Sequence, residues 1–397
     1  MHAALRLGLS ALILTTFVTT AFVRCGPQEA SAQDTNATKP SEQPVATMRH
    51  GNRPRAPKPV EAAPPEQPAA APTPPPAAEP AKPAASPAKS PDELPPKFPF
   101  SVGTAGEDIA GVVARGTPIY KWADEHGFTE GPACAPDGSM YFTDVAGSQV
   151  LQVDAMGAKV ALKDSKGMNG LFFSKDGVLY GCQSGEQRIV AIDVSPETAA
   201  KKERVRVICD KGPGGAPLGK VNDLVLDRSG GIWFSAPVIG RKREGNAPDA
   251  VYYVPVTGGE AVQVVRDDKV VAPNGVHLSP DGKTLYVLPY LSLNMMAYPV
   301  LGPGKLGPGT VFYAIPSGTR ETIGGDGLTV DIKGNVYITV PARSSVFVLS
   351  PEGKPLGMIR FPERPSNCAL GGTEGKTLFV TAQKSVYAIE VEGSRSR

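Results

Sequence analysis

Residues 269 to 290 read KVVAPNGVHLSPDGKTLYVLPY, and the architecture of the folded region can be predicted from this segment. It joins a short polar loop, Pro273-Asn274-Gly275, to two apolar-rich segments, 276–279 and 284–287, which are separated by a Pro-Asp-Gly turn. Alternating apolar residues on both sides of such a turn are typical of a β-hairpin. The stretch therefore predicts a strand, a turn and a strand, preceded by a loop that can aim a side-chain amide into a cavity.

Variants of this hairpin recur along the last three quarters of the chain. Their sequences are PDGSMYFTDV, KDGVLYGCQS, RSGGIWFSAP, PDGKTLYVLP, IKGNVYITVP and EGKTLFVTAQ. The turn glycines lie 39, 53, 52, 52 and 41 residues apart, at Gly138, Gly177, Gly230, Gly282, Gly334 and Gly375. Repeats of roughly 40 to 50 residues with several short strands and no helical period are the signature of β-propeller blades. We therefore predict an all-β, six-bladed β-propeller over residues 109–393.

The two ends of this region are expected to close the ring. The strand-like segment VVARGTPIYKWAD, residues 112–124, precedes the first repeat, and residues 384–392 form the last apolar strand. Pairing of the two would place residues 112–124 as the outer strand of the last blade. Such closure removes free sheet edges, which otherwise invite aggregation.

The N-terminus has the pattern of an export signal. Arg6 is followed by an apolar run over residues 7–23, which is typical of a signal peptide. Two processing routes are open: cleavage after Ala32, which makes residues 1–32 the signal peptide, or cleavage after residue 24 with a lipid on Cys25. The protein is expected to be exported to a periplasmic or extracellular location, with the lipoprotein form giving envelope association.

Residues 33–108 are rich in Pro and Ala and contain almost no large apolar side chain. Such a segment cannot bury enough surface to offset its ordering entropy, so we expect a disordered linker. The whole chain has 41 basic and 39 acidic residues and a formal net charge of +2. This balance provides no electrostatic footprint for nucleic acid or an anionic membrane surface.

Four cysteines follow the linker, with no Cys-x-x-Cys pair among them. In an oxidising compartment they could form up to two disulfides in three pairings. They could equally be small buried hydrophobes on strands, which is the interpretation we favour. These residues are Cys134, Cys182, Cys209 and Cys368.

Several repeats are preceded by a short polar loop, which the pseudo-symmetry of a ring predicts to converge at one end of the central channel. These loops are Phe128-Thr129-Glu130-Gly131-Pro132, Met168-Asn169-Gly170-Leu171, Lys220-Val221-Asn222-Asp223-Leu224, Pro273-Asn274-Gly275-Val276 and Gly325-Asp326-Gly327-Leu328. Taken singly, Asn-Gly and Asp-Gly pairs can be turn formers with a left-handed backbone. Taken together, they bring hard oxygen donors to one point, which suits Ca²⁺, Mg²⁺ or Mn²⁺.

The order of these motifs resembles a known family. Over about residues 115–391 the chain resembles the SMP-30/gluconolactonase/regucalcin-like superfamily of sugar-lactone hydrolases. The motifs that carry the resemblance are, in order, EGP, ND before GIWF, PNG before SPDGKTLYV, and DGL. The resemblance implies one catalytic divalent metal at the channel mouth, Ca²⁺ first, with Mg²⁺, Mn²⁺ or Zn²⁺ as alternatives. Its implied ligands are Glu130, Asn222, Asn274 and Asp326.

The resemblance also implies roles in catalysis and substrate binding. Asp326 is similar to the family's acid/base or nucleophilic carboxylate, and Asn169 to a pocket amide. Asn367 is placed near the pocket by the motif RPSNCALGG, and Asn222 and Lys220 are expected to contact substrate. Lys220 stands where relatives carry Arg. Lysine keeps the positive charge but cannot form the bidentate hydrogen bonds of an Arg guanidinium.

Three other positions depart from the family pattern. Ala369 stands where phosphatase-type members carry His, which argues against organophosphate chemistry. The loop 240–245 is basic where some relatives place an acidic contact, and Leu288-Pro289-Tyr290 replaces a frequent Ser-Asp pair.

These residues predict metal-dependent hydrolysis of a sugar lactone, with Asp326 as acid/base. A serine-triad hydrolase is disfavoured because the sequence has no Gly-x-Ser-x-Gly elbow and, beyond residue 100, only His126 and His277. The alternative function is a non-catalytic, exported recognition module that binds a cell-envelope polymer or protein. The complete set of metal ligands, Glu130, Asn222, Asn274 and Asp326, is the feature that distinguishes the enzyme from that module.

Overall fold

The computed structural model describes residues 100–154, 157–195, 204–238, 249–266, 270–317 and 323–395. The predicted signal peptide, both predicted processing sites, most of the predicted linker and the basic loop 240–245 therefore lie outside the described residues. Within the described part, no helix is long and apolar enough to cross a membrane. The helices there are single 3₁₀ turns, at Pro213–Gly215 and Pro341–Arg343.

The strands of the described chain form six antiparallel sheets, which are the six predicted blades. The first two strands of the chain, β1 (Phe100–Thr104) and β2 (Pro118–Ala123), belong to blade 6. The strands of blades 1 to 3, four to a blade, are β3 (Thr129–Cys134), β4 (Met140–Asp144), β5 (Gln149–Asp154), β6 (Gly157–Lys163), β7 (Met168–Phe173), β8 (Leu179–Gln183), β9 (Arg188–Ile192), β10 (Val205–Cys209), β11 (Leu224–Leu226), β12 (Ile232–Ala236), β13 (Ala250–Val254) and β14 (Val262–Val265).

Blades 4 to 6 repeat the same order, from the channel outward. Blade 4 carries a short additional strand, β18, which pairs with the far end of β17. The strands are β15 (Pro273–Leu278), β16 (Thr284–Pro289), β17 (Asn294–Gly302), β18 (Lys305–Leu306), β19 (Thr310–Ala314), β20 (Leu328–Val330), β21 (Val336–Val340), β22 (Ser345–Leu349), β23 (Pro355–Arg360), β24 (Pro365–Gly371), β25 (Thr377–Ala382) and β26 (Ser385–Glu390).

The apolar core lies between neighbouring blades. Successive residues of a strand point to opposite faces of its sheet, so a strand that is apolar on both faces packs against both adjacent blades. In blade 3, Phe234 packs in the same cluster as Tyr180 of blade 2, and Trp233 in the same cluster as Leu285 of blade 4. The described residues form six such clusters, one at each junction between blades.

The ring is closed as the sequence predicts. β2 pairs antiparallel with β26, and Ile119 lies opposite Ile389. The predicted pairing of residues 112–124 with the C-terminal strand is thus confirmed, with Pro118–Ala123 as the regular part, but β1 rather than β2 is the outermost strand of the blade. Backbone hydrogen bonds within one sheet hold the two ends of the propeller together.

An additional N-terminal segment, which the sequence did not predict, extends the folded part. β1 lies before residue 109, where we expected the propeller to begin, and it pairs with β2 as a fifth strand of blade 6. Residues 105–113, here called the clasp, follow β1 and pack between blades 5 and 6. Ile109 and Val112 of the clasp are 1% and 0% exposed. Glu107 Oε1 accepts a hydrogen bond from the backbone N–H of Met358 in β23 at 3.0 Å.

The cysteines pack as small hydrophobes. Cys134, Cys182, Cys209 and Cys368 are all buried and free, so no disulfide is formed among them. Burial raises the pKa of the Cys182 thiol well above its usual range. A buried thiol of this kind is protonated and unreactive.

Candidate metal centre

The polar residues singled out by the sequence lie where the inner strands begin. Glu130, Asn169 and Asn274 are the second residues of β3, β7 and β15. Asn222 and Asp326 lie two residues before β11 and β20. Because the inner strands of a propeller run in the same direction, all of these positions face the same end of the channel, which we call the mouth.

Backbone hydrogen bonds connect the loops in sequence around the mouth. Gly170 N–H donates to the carbonyl of Asn222 at 2.7 Å, and Gly275 N–H donates to the carbonyl of Asp326 at 2.8 Å. Each of these bonds joins one polar loop to the loop of the next blade. The loops are therefore held at fixed separations by their own backbones.

The Asn-Gly pairs do not form turns in this protein. Gly170 and Gly275 lie inside β7 and β15 with no positive φ. A Cβ on Gly275 would lie 2.6 Å from the carbonyl oxygen of Asp326, and a Cβ on Gly170 would lie 2.7 Å from that of Asn222. Glycine is required because the next loop approaches too closely for a side chain. The turn-former interpretation is wrong at these positions.

A set of hydroxyl side chains reinforces the blade junctions. Each donates a hydrogen bond to a backbone carbonyl of the next blade, as Ser235 Oγ does to Asn274 O at 2.5 Å and Thr143 Oγ1 to Asn169 O at 3.0 Å. We call this set the inter-blade hydroxyls; its members in the described chain are Thr143, Ser184, Ser235, Thr339 and Ser366.

The junction between blades 4 and 5 is built differently. The segment Leu288-Pro289-Tyr290, which departs from the family pattern, stands there. Gly325 N–H donates to Pro289 O at 3.2 Å, and Gly324 N–H donates to Tyr290 O at 2.7 Å. A Cβ on Gly325 would lie 2.5 Å from the Leu288 side chain. The apolar side chain of Leu288 therefore supports the Asp326 loop at this junction. At the other junctions an inter-blade hydroxyl has that role.

Three carboxylates meet at the mouth. Burial raises the pKa of Asp326 well above its usual range, and the negative charges of Glu130 and Asp223 raise it further. Burial and the charge of Asp223 raise the pKa of Glu130, although Gly131 N–H donates to Glu130 Oε2 at 3.0 Å. Burial raises the pKa of Asp223 to about 7. Three carboxylates placed together in this way are costly unless a cation neutralises them.

Asp223 is the site residue that the sequence interpretation missed. Its side chain is 7% exposed, and its Oδ1 accepts a hydrogen bond from Leu224 N–H at 2.9 Å. Its Oδ2 lies 3.5 Å from Asn367 Nδ2. The available signal was that Asp follows Asn222, whereas Gly follows each of the other proposed metal ligands.

The predicted substrate-binding residues differ in their surroundings. Asn367 is buried and hydrogen-bonds to Asp223, so it lies within the carboxylate cluster. Asn169 Oδ1 is buried without a hydrogen-bond partner. Lys220 is exposed, two residues before the half-buried Asn222. Their contacts with substrate stay predictions.

The two histidines are not arranged as triad members. His126 Nδ1 lies 3.8 Å from Asp144 Oδ2, beside the Phe142 ring. His277 Nδ1 lies 2.8 Å from the carbonyl of Leu278. Neither forms a hydrogen bond with a serine in the described chain, which agrees with the absence of a nucleophile elbow.

The donor set at the mouth fits a hard divalent cation. The carboxylates of Glu130 and Asp326 and the amide oxygens of Asn222 and Asn274 are the kind of donor that Ca²⁺ prefers. No three Asp, Glu, His or Cys side chains of the described chain form a metal site by themselves. The unpaired Asn169 Oδ1 is one further oxygen acceptor in the neighbouring loop.

Comparisons with known proteins agree with this architecture. Residues 128–384 match the family model described as the SMP-30/gluconolactonase/LRE-like region. Over 308 residues the chain is 26% identical to the gluconolactonase of Zymomonas mobilis, an alignment that covers 70% of this chain and 82% of that protein.

Two solved structures share the fold. A gluconolactonase from Xanthomonas campestris superposes with a TM-score of 0.61 at 24% identity, covering 72% of this chain and 96% of that one. The calcium-binding protein regucalcin from Agrobacterium tumefaciens superposes with a TM-score of 0.56 at 19% identity, covering 68% and 92%. At these identities the likeness concerns the fold alone.

Proposed function

This chain belongs to the SMP-30/gluconolactonase/LRE-like family, and on that premise we propose that it is a metal-dependent lactonase that hydrolyses a sugar lactone. The observation that carries the proposal is the meeting of Glu130, Asp223 and Asp326 with the mouth amides. The similarity to a gluconolactonase over 70% of the chain supports the substrate class.

Glu130, Asn222, Asn274 and Asp326 would hold the metal, with Ca²⁺ the first choice and Mg²⁺, Mn²⁺ or Zn²⁺ as alternatives. The likeness of the fold to a calcium-binding protein is consistent with that choice. When bound, a divalent cation acts as a Lewis acid on the lactone carbonyl.

Asp326 is the carboxylate best placed to act on substrate. It is half-buried, whereas Glu130 and Asp223 are 3% and 7% exposed. In the proposed reaction Asp326 accepts a proton from water while the water oxygen bonds to the carbonyl carbon. The ring C–O bond then breaks, the proton passes to the departing oxygen, and a hydroxy acid leaves. In the second route the Asp326 carboxylate attacks the carbonyl carbon directly, the ring C–O bond breaks to leave a mixed anhydride on Asp326, and water hydrolyses that anhydride to release the hydroxy acid.

The chain also offers groups that can orient the substrate. The Lys220 ammonium is exposed and Asn169 Oδ1 is a buried acceptor without a partner, and we assign both to the ring hydroxyls of a sugar lactone. These two groups are a donor and an acceptor, so that together they can bind hydroxyls in either role.

The proposal is tested by following acid release from glucono-1,5-lactone at constant pH. We expect activity that is lost on chelation and restored by Ca²⁺, and that falls about 10²- to 10⁴-fold in Asp326→Ala. Glu390→Gln, which removes an exposed carboxylate on β26, is the matched control and should be as active as the wild type.

Two outcomes would contradict the mechanism: activity that is insensitive to chelation, and activity that survives in Asp326→Ala. Metal binding without activity on a panel of lactones would instead favour the recognition module.

We also propose that the protein is exported. The supporting features are Arg6 with the apolar run over residues 7–23, and the Pro- and Ala-rich segment that follows. Mass analysis of the mature protein should find either an N-terminus at Gln33 or a lipid on Cys25. An intact N-terminus that begins at Met1 would overturn the proposal.

A further inference from the structure

A cavity occupies the end of the channel opposite the mouth. Its volume is about 470 Å³, which lies within the range of roughly 300 to 1,000 Å³ typical of small-molecule sites. The turns that follow the inner strands line it, at 174–178, 227–230 and 279–282. Its inner end reaches Asp223 and Asn367, the underside of the carboxylate cluster. We call it the distal cavity.

The wall of the distal cavity carries an unused hydrogen-bond acceptor. His277 Nδ1 lies 2.8 Å from the carbonyl oxygen of Leu278, which can only accept, so the ring hydrogen is on Nδ1. Burial lowers the pKa of His277, and the ring is therefore neutral near pH 7. Its Nε2 is then a lone-pair acceptor, and His277 lines the cavity. A ligand that donates a hydrogen bond would satisfy it.

The remaining wall is largely apolar. The half-buried side chains of Phe172, Leu226 and Ala369 line the cavity on three different blades. The Phe172 ring stands edge-on to His277, with 6.3 Å between the ring centroids. A carbon skeleton that carries a hydroxyl group fits between these surfaces.

The C-terminal tail places a cation at the rim of the cavity. Ile332 N–H donates to Ser394 O at 2.9 Å, and Arg395 N–H donates to Gly375 O at 2.9 Å. Arg395 Nη1 donates to the carbonyl of Cys134 at 2.6 Å. The guanidinium is thus fixed beside the cavity, with Nε and Nη2 left to bind a carboxylate.

The other charges at the rim favour an anion. Lys175 and Arg228 line the cavity, as does the carboxylate of Asp176. Asp227 already accepts hydrogen bonds from Ser229 N–H, Ser229 Oγ, Gly231 N–H and Trp233 Nε1. The cations therefore exceed the carboxylates that are open to a ligand.

We propose that the distal cavity is a separate binding site for a small hydroxylated carboxylate. A hydroxyl group of the ligand donates to His277 Nε2, its carboxylate pairs with Arg395, and its carbon skeleton packs on Phe172 and Leu226. This is the chemical class of the acid that lactone hydrolysis releases. Asn367 and Asp223 belong both to the cavity wall and to the carboxylate cluster, so binding of the product in the cavity would affect the metal centre through them. This link rests on the proposed function.

The test is calorimetric titration of the full-length, EDTA-treated protein with gluconate. We expect saturable binding that is weakened about tenfold by His277→Leu and by Arg395→Gln, since each change removes one hydrogen-bonded contact. His277→Gln keeps an acceptor and should retain most of the affinity. Asp326→Ala at the mouth should bind gluconate as the wild type does.

Three comparisons make the test specific. Lys305→Gln removes an exposed cation on the outer strand β18 and should leave binding unchanged. Hexanoate lacks the hydroxyl groups and sorbitol lacks the carboxylate, so both should bind more weakly than gluconate. The melting temperature of each variant shows whether it is folded.

Several outcomes would overturn the inference. If gluconate does not bind saturably, the distal cavity holds only water. If hexanoate binds as tightly as gluconate, His277 does not recognise a ligand hydroxyl. If Asp326→Ala loses gluconate binding while His277→Leu retains it, the ligand binds at the mouth. Lactonase activity without gluconate binding contradicts this inference alone, whereas gluconate binding without lactonase activity contradicts the proposed function alone.

Discussion

At the scale of single residues, Ser235 connects two of the loops that carry proposed metal ligands. Its Oγ donates to Asn274 O at 2.5 Å and accepts from Asp223 N–H at 3.1 Å. Its side chain is fully buried, so water cannot replace either bond. Ser235 is therefore a positioning residue, which sets the separation of the Asn222 and Asn274 loops without touching substrate.

Ser235→Ala is expected to weaken Ca²⁺ binding about tenfold, because residues that orient ligands typically contribute 10- to 100-fold to metal affinity. Calcium titration by calorimetry measures the effect. The control is Ser345→Ala, which removes a buried hydroxyl that donates to Arg343 O, outside the loops that carry the proposed ligands. Both variants should lose stability, and only Ser235→Ala should lose affinity. Equal losses of affinity would show that the hydroxyls are merely structural.

The sequence predicted which residues gather at the mouth better than it predicted what surrounds them. Glu130, Asn274 and Asp326 occupy equivalent places in a repeat, so periodicity alone indicates their convergence. Asp223 has no equivalent in the other loops, and its Oδ1 fits against Gly170 of the preceding blade, where a Cβ would lie 2.6 Å from Asp223 Oδ1. Contacts between blades of this kind are not encoded in any single repeat.

At the scale of the strand, the glycines that follow the ligands fix how closely neighbouring inner strands approach. Gly275→Ala places a Cβ 2.6 Å from Asp326 O and 2.6 Å from a Leu328 methyl. We expect a loss of about 1–3 kcal/mol in the free energy of unfolding, which is typical of overpacking, together with weaker metal binding.

Gly302→Ala in β17 is the matched control, because a Cβ there has no atom within 4 Å. This variant should unfold within about 0.5 kcal/mol of the wild type. Denaturant unfolding measures the free energy of unfolding of both variants. A neutral Gly275→Ala would show that the inner strands can separate without cost.

The strands themselves follow from turn chemistry and alternation, with one exception. Each predicted hairpin turn contains a glycine with positive φ, such as Gly138 at 88° and Gly282 at 74°. β1 belongs to no repeat and is followed by the irregular clasp, so neither periodicity nor alternation marks it. Its partner β2 was predicted because the segment around Ile119 is strand-like and stands directly before the first repeat, where ring closure requires a strand.

At the scale of the whole molecule, the ring depends on residues outside its blades. The clasp buries Ile109 and Val112 in the cluster between blades 5 and 6. Ile109 fits against Gly357 of β23, where a Cβ would lie 2.7 Å from Ile109 Cγ1. Lys333 Nζ also donates to Gly111 O at 3.0 Å. The clasp thus reinforces a blade junction next to the β2–β26 closure.

If the ring unfolds as one cooperative unit, removing apolar volume from the clasp should destabilise the entire propeller. Ile109→Ala is expected to lower the free energy of unfolding by about 2–5 kcal/mol, the usual cost of such a cavity in a core. Ile332→Ala is the control, because Ile332 is 55% exposed and its truncation should cost less than about 0.5 kcal/mol. Denaturant unfolding followed by the fluorescence of Trp233 in a Trp122→Phe background would report it, since Trp233 lies in blade 3, on the opposite side of the ring, whereas Trp122 lies in β2 of blade 6. If Ile109→Ala leaves the Trp233 transition unchanged, the clasp is an appendage rather than part of the cooperative unit.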